Sequence, residues 1–184
     1  MHGVLNSVRI VAAGCRILDQ WGLADLSMRR VADELGVQAG ALYYHVPNKQ
    51  SLLAGIADVI LAAVPTPSAE EPGEWLRGWC HGLRQVLLCH RDGAELVSST
   101  TALGLGEVDP TAEGRRVLHV ADVTEPDATM AAFLHFVLGH TMAEQTRSQL
   151  VTLGVLSEFD AEQAEADFTH GVDLLVAGLR PGPR

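Results

Sequence analysis

A single lysine, Lys49, serves the whole chain of 184 residues, and 13 Lys and Arg stand against 23 Asp and Glu for a net charge of −10. So few basic groups exclude a general nucleic-acid coat; any phosphate contact must rest on a few side chains and on backbone N–H groups. No run approaches the ~18 apolar residues that a membrane-spanning helix needs. The N-terminus shows no basic segment followed by an apolar core and a cleavage site, which argues against export and for a cytoplasmic protein with no membrane partner. The three cysteines, Cys15, Cys80 and Cys89, are an odd number and read as reduced thiols. Cys80 and Cys89 fall about 13 Å apart on one predicted helix, too far for a disulfide. There is no Gly-rich phosphate loop, no nucleophile–base pair and no paired-Cys motif. His135 and His140 are five residues apart and do not share a helix face, and His81 and His90 lie still further apart. No metal, cofactor or catalytic residue is expected, and the chain does not read as an enzyme.

What is present is a globular composition: 47% hydrophobic and 20% charged residues. The charge is unevenly spread. Residues 1–50 hold five basic and four acidic residues, net +1; the remainder holds eight and 19, net −11. A near-neutral head on an acidic body suits a protein that meets phosphate through its head alone.

Apolar spacing predicts helices throughout and no convincing strand, although residues 120–124 could form one. The first helix spans about 4–21, with Val4, Val8, Val11, Cys15, Leu18 and Gly22 as its inward stripe and Ala12 and Trp21 beside it. Ser27 is a good N-cap for a helix over 28–35, with Val31, Ala32 and Leu35 inward and Gly36 ending it. A short helix over 39–45 buries Leu42, with Val46 inward behind it, and Pro47 ends it. Asn48 caps a helix over about 48–63 that buries Leu52, Leu53, Ile56, Val59, Ile60 and Ala63. Residues 65–73, with three prolines and a closing Gly73, are the clearest break. Further helices are predicted over 74–91, 92–103, near 112–123, over 127–149 and over 160–179, with Pro181 and Pro183 after the last. The fold class is all-α, an N-terminal helix-turn-helix head followed by a helical body. The division is a head of 1–48, a connecting helix of 48–63 and a body of 64–184.

The most informative stretch is Leu26-Ser27-Met28-Arg29-Arg30-Val31-Ala32, then Leu35-Gly36-Val37, then Gly40-Ala41-Leu42-Tyr43-Tyr44-His45-Val46. Two short helices joined at a tight glycine turn are the device that places a helix in the DNA major groove. With Ala12-Ala13, Leu18, Gly22-Leu23, Asn48-Lys49 and Leu52-Leu53 at matching spacing, this stretch resembles the TetR family of one-component bacterial regulators. The body resembles the tetracycline-repressor branch through His90-Arg91-Asp92-Gly93-Ala94, Phe136-Val137-Leu138-Gly139-His140, and Phe168 with Gly171-Val172-Asp173-Leu174-Leu175.

The resemblance implies a homodimer joined through the last two long helices, a ligand cavity in each body, and release of a near-palindromic operator when ligand shifts the connecting helix. It places the reading helix at 39–45. Gln38 can pair with adenine or phosphate. Tyr43 and Tyr44 can reach phosphate or pack on sugar and thymine methyl. His45 can donate to phosphate, and Lys49 sits at a helix start where charge and dipole both attract it. Ser27 and Arg29 open the preceding helix, and Arg30 reads as a solvated charge. Ala39, Gly40 and Ala41 complete the face but offer no base-reading side chain, so DNA shape and backbone contact carry more of the specificity.

The resemblance also implies departures. The tetracycline-repressor branch holds a magnesium–drug complex through two histidines and an acidic residue; at those places stand Val97, Pro65 and Thr146. Magnesium–tetracycline is therefore not the expected effector. A mostly apolar small molecule is, in a cavity lined by Trp79, Leu83, Val86, Thr100, Thr101, Leu103, Phe133, Phe136, Val137, His140 and Gln145. Two other readings stand beside this one: a regulator answering to a partner protein or acting as activator, and an enzyme using the body cavity.

Overall fold

The computed structural model describes residues 4–182; the expectation for Pro183 lies outside them. Among these residues the chain forms nine helices: α1 Ser7–Trp21, α2 Met28–Leu35, α3 Ala39–Tyr43, α4 Lys49–Ala62, α5 Pro72–Leu88, α6 Gly93–Ala102, α7 Ala112–Val120, α8 Pro126–Thr152 and α9 Ala161–Ala177. No strand occurs among them; Val123 and Pro181 meet in one isolated antiparallel bridge. The helices divide into two compact units, one of residues 1–63 with 89–108, the other of 64–88 with the chain from 109 onward.

In the first unit, side-chain caps start three helices. Asn6 Oδ1 accepts from Arg9 N at 2.9 Å, Ser27 Oγ from Arg30 N at 3.2 Å, and Asn48 Oδ1 from Ser51 N at 2.8 Å. Each satisfies a backbone donor that the helix itself leaves open. Gly36 ends α2 in the left-handed region (φ 65°), where a side chain would be strained. α1 packs on α2 and α4, α2 on α3, and α4 on α6.

The face that α1 buries differs from the expected stripe. Ile10, Ala13, Gly14, Ile17 and Leu18 point inward, whereas Val4 is 85% and Val8 74% exposed. Apolar residues surround most of α1, so periodicity fits more than one face. Gly14 decides: a Cβ there would lie 2.7 Å from Ile56 Cδ1, so only the glycine face lets α4 approach. On α4, Leu52, Ile56 and Ile60 are buried as expected, but Val59 and Ala63 are exposed.

Both ends of α6 are tied into this unit. Asp92, itself at φ 55°, accepts from Leu23 N at 2.8 Å, and His90 Nδ1 lies 2.9 Å from Asp19 Oδ1. Beyond α6, Asp58 on α4 accepts from the backbone of Glu107 and Val108, each at 3.0 Å. Gly106 (φ 93°) makes that approach possible.

In the second unit α5 packs on α7, α8 and α9, and α8 packs on α7 and α9. Trp75 and Trp79 stack with centroids 6.4 Å apart, and Leu76, Leu83, Phe133, Val137 and Phe168 are buried around them. Glu71 caps α5 by accepting from Gly73 N and Glu74 N, and those N–H groups pull its carboxyl below the ordinary range. At the centre lies a buried ion pair. Arg84 donates to both oxygens of Glu144, at 3.0 and 2.9 Å, makes a short bond to Glu165, and sits 5.0 Å over the Phe168 ring.

Candidate nucleic-acid interface

α3, the expected reading helix, is held from behind and bare in front. Leu42 (0% exposed) and Val46 anchor it to the head's core, and Gln38 opens it with no side-chain cap bond. On the outer side Gln38, Gly40, Ala41, Tyr43 and Tyr44 are exposed, and Ala39 and His45 are half-buried. Tyr44 is 89% exposed, its ring meeting only the edge of His45 at 5.1 Å. A Cβ on Gly40 would meet nothing within 4 Å. Nothing in the fold of this chain therefore requires glycine there, although mid-helix glycine costs about 0.5–1 kcal/mol relative to alanine.

The cations sort into two groups. Arg16 pairs with Glu34 at 3.1 Å. Arg30 pairs with Asp25 at 2.5 Å and lies 4.9 Å over the Trp21 ring, so it is engaged rather than freely solvated. Arg29 on α2 and Lys49 at the start of α4 are exposed and form no salt bridge among the described residues. Ser27 is half-buried with its oxygen engaged as cap acceptor, which leaves its hydroxyl hydrogen to donate. All ten residues expected to touch DNA lie in the first unit. They present hydroxyl, amide, imidazole and two cations without salt bridges among the described residues, groups able to hydrogen-bond phosphate.

Bacterial regulatory proteins of the tetR family match residues 10–56, and the tetracyclin repressor-like C-terminal domain matches residues 65–152. The tetracycline repressor protein class A from transposon 1721 of Escherichia coli is 30% identical over 92% of this chain and 88% of its own length. This chain belongs to the TetR family. Among solved structures, Mycobacterium smegmatis BioQ superposes with a TM-score of 0.86 at 40% identity, covering 95% of this chain and 97% of that one. BioQ with its natural double-stranded DNA operator superposes at 0.81 and 39% identity, over 95% and 98% of the two chains. The TetR-family assignment makes the chain a DNA-binding transcriptional regulator, not an enzyme, and no helix among the described residues is long and apolar enough to cross a membrane.

The residues expected to bind a ligand fall in both units. Thr100, Thr101 and Leu103 belong to the first; Thr100 is buried with its hydroxyl donating to Leu96 O, while Thr101 and Leu103 are exposed. Trp79, Leu83, Val86, Phe133, Phe136, Val137, His140 and Gln145 belong to the second. There Trp79, Leu83, Phe133 and Val137 are packed as core, and Phe136 stacks on Phe168 at 5.5 Å. Gln145 Nε2 donates to Leu87 O at 2.9 Å. The Nδ1 of His140 is buried without a partner among the described residues, and burial lowers its pKa below the ordinary 6.5. A cavity of about 550 Å³ in this unit lies between the start of α8 and the end of α9 and shares only Phe133 with that set.

A magnesium–drug complex does not fit this donor set. Val97 is buried and apolar, Pro65 packs against Gly82, and Thr146 turns its hydroxyl to Met142 O. No group of three His, Cys, Asp or Glu among the described residues could hold a metal ion.

Sequence reasoning missed three features: the Arg84–Glu144–Glu165 cluster, the ties at both ends of α6, and a second cavity in the head. The one available signal was Arg84 at helical spacing from the buried Cys80 and Leu87, a charge on an apolar face.

Proposed function

We propose that this regulator is a homodimeric repressor that reads a near-palindromic operator with α3 of each subunit and lets go when its body binds a mostly apolar small molecule other than magnesium–tetracycline. The observation that carries the DNA half is the bare strip at 38–45: Tyr44 stands 89% exposed, and Lys49, exposed at the start of α4, forms no salt bridge among the described residues. The operator complex of BioQ, at 39% identity, supports the same placement. Ser27, Arg29, Gln38, Tyr43, Tyr44, His45 and Lys49 supply the polar contacts, and Ala39, Gly40 and Ala41 let the DNA backbone come close.

Dimerisation through α8 and α9 is supported by apolar groups left outside, with Leu174 61% and Met142 40% exposed. Two-fold symmetry then sets two reading helices about 34 Å apart, one DNA turn. Within the second unit, Trp79, Phe136 and His140 are the candidate effector contacts.

The test is a gel shift on the DNA flanking the protein's own gene. Tyr44→Ala with Lys49→Ala should weaken binding at least tenfold while the melting temperature holds; unchanged affinity would sink the placement of the reading helix. Light scattering should give a dimer, and calorimetry should show no sub-micromolar, magnesium-dependent tetracycline binding.

A further inference from the structure

The first unit holds an open cavity of about 800 Å³, lined only by its own residues and sharing just His45 with the expected DNA contacts. Its floor is the contact of α1 with α4. Gly55 fixes how close that contact is, since a Cβ there would lie 2.8 Å from Val11 Cγ2. Its rim is the 105–107 segment, held up by the Asp58 carboxylate. Without that tie the site would flatten into an open face.

We propose that this cavity is a small-molecule site in the first unit, taking an apolar organic molecule with one uncharged hydrogen-bonding group. The volume lies within the ~300–1,000 Å³ of drug-sized sites, and the chemistry matches their pattern of apolar walls with few polar groups. Val8, Val11, Ala54 and Val59 form the walls, with Val8 74% and Val59 51% exposed despite being apolar. Polarity gathers at one end. His45 and Gln50 line the cavity there and make no side-chain hydrogen bond among the described residues. Gln50 offers an amide donor and an amide acceptor, neutral His45 one of each, and two carboxylates, Asp58 (engaged by two amides) and Glu107, also line the cavity, so the complementary ligand group is uncharged and able to hydrogen-bond.

The place of the site gives it a consequence. His45 lies two residues past the end of α3, and Asn48, Gln50 and Ser51, which also line the cavity, belong to the cap and first turn that present Lys49. A molecule seated here fixes the same segment that meets phosphate, so ligand and operator alter each other's affinity by the same factor. This coupling rests on the DNA-binding reading; the site itself does not.

The probe is N-phenyl-1-naphthylamine, an uncharged apolar molecule with one N–H donor whose fluorescence rises on apolar burial, titrated into the full-length protein. Saturable binding near one per chain is expected, weakened at least tenfold by Val8→Glu and by Val59→Glu, both exposed positions where melting temperature should hold. Unchanged binding in both variants would overturn the site. A shift from dimer to monomer in those variants would also overturn it, by making the face a contact between copies. Saturating operator duplex should lower the probe's affinity several-fold; no change would overturn the coupling. A failed gel shift with intact probe binding would count against the DNA reading and leave the site standing.

Discussion

Two residues show where local chemistry departs from what the fold needs. Gly40 sits on an exposed helix face with open space around it. Gly40→Ala should therefore raise stability by about 0.5–1 kcal/mol while weakening operator binding, a pairing expected only if an outside molecule comes close. Thermal melts and gel shifts check both signs; loss of stability would place the requirement inside the chain. Arg84 is the opposite case. Arg84→Met strands the buried Glu144 and should cost about 3–5 kcal/mol in urea unfolding, whereas adding Glu144→Leu should recover most of it. His140 adds a pH dependence. Burial lowers its folded pKa, so between that value and the ordinary 6.5 the unfolded chain binds more protons, and acidification through this window destabilises the fold. The urea midpoint should fall between pH 7.5 and 5.5, and His140→Leu should reduce that fall.

Among the elements, those set by local signals were readable and those set by distant contacts were not. α2 begins and ends where the Ser27 cap and Gly36 require, and α4 begins at the Asn48 cap, because these bonds span only a few residues. The outward strip at 38–45 was legible for the same reason: Leu42 and Val46 fix which way the helix faces. The buried face of α1 was not, because a helix apolar on most sides takes its orientation from a partner 42 residues on, where Ile56 meets Gly14. The Arg84–Glu144 bond spans 60 residues and leaves no mark on either helix's own pattern. The segment after α6 is another long-range element: Asp58→Ala should free the amides of Glu107 and Val108, raising their hydrogen-exchange rates at least tenfold while the α2 amides stay protected.

At the scale of the molecule, charge is the limiting resource. The head contributes Arg29 and Lys49 as cations without salt bridges among the described residues, so a dimer engages about four phosphates through them, and log affinity against log salt should slope near −4. A slope near −7 would mean that the paired arginines Arg30 and Arg16 let go of their carboxylates on DNA and add about four more phosphate contacts. The division into units has a practical corollary. The compact head is not a continuous stretch of chain: residues 89–108 return to it after α5, and α6 lies on α4. Residues 1–63 expressed alone would leave the α4 face that α6 covers open to water. A portable DNA reader cut from this protein needs two pieces of gene, spliced by a linker that replaces α5.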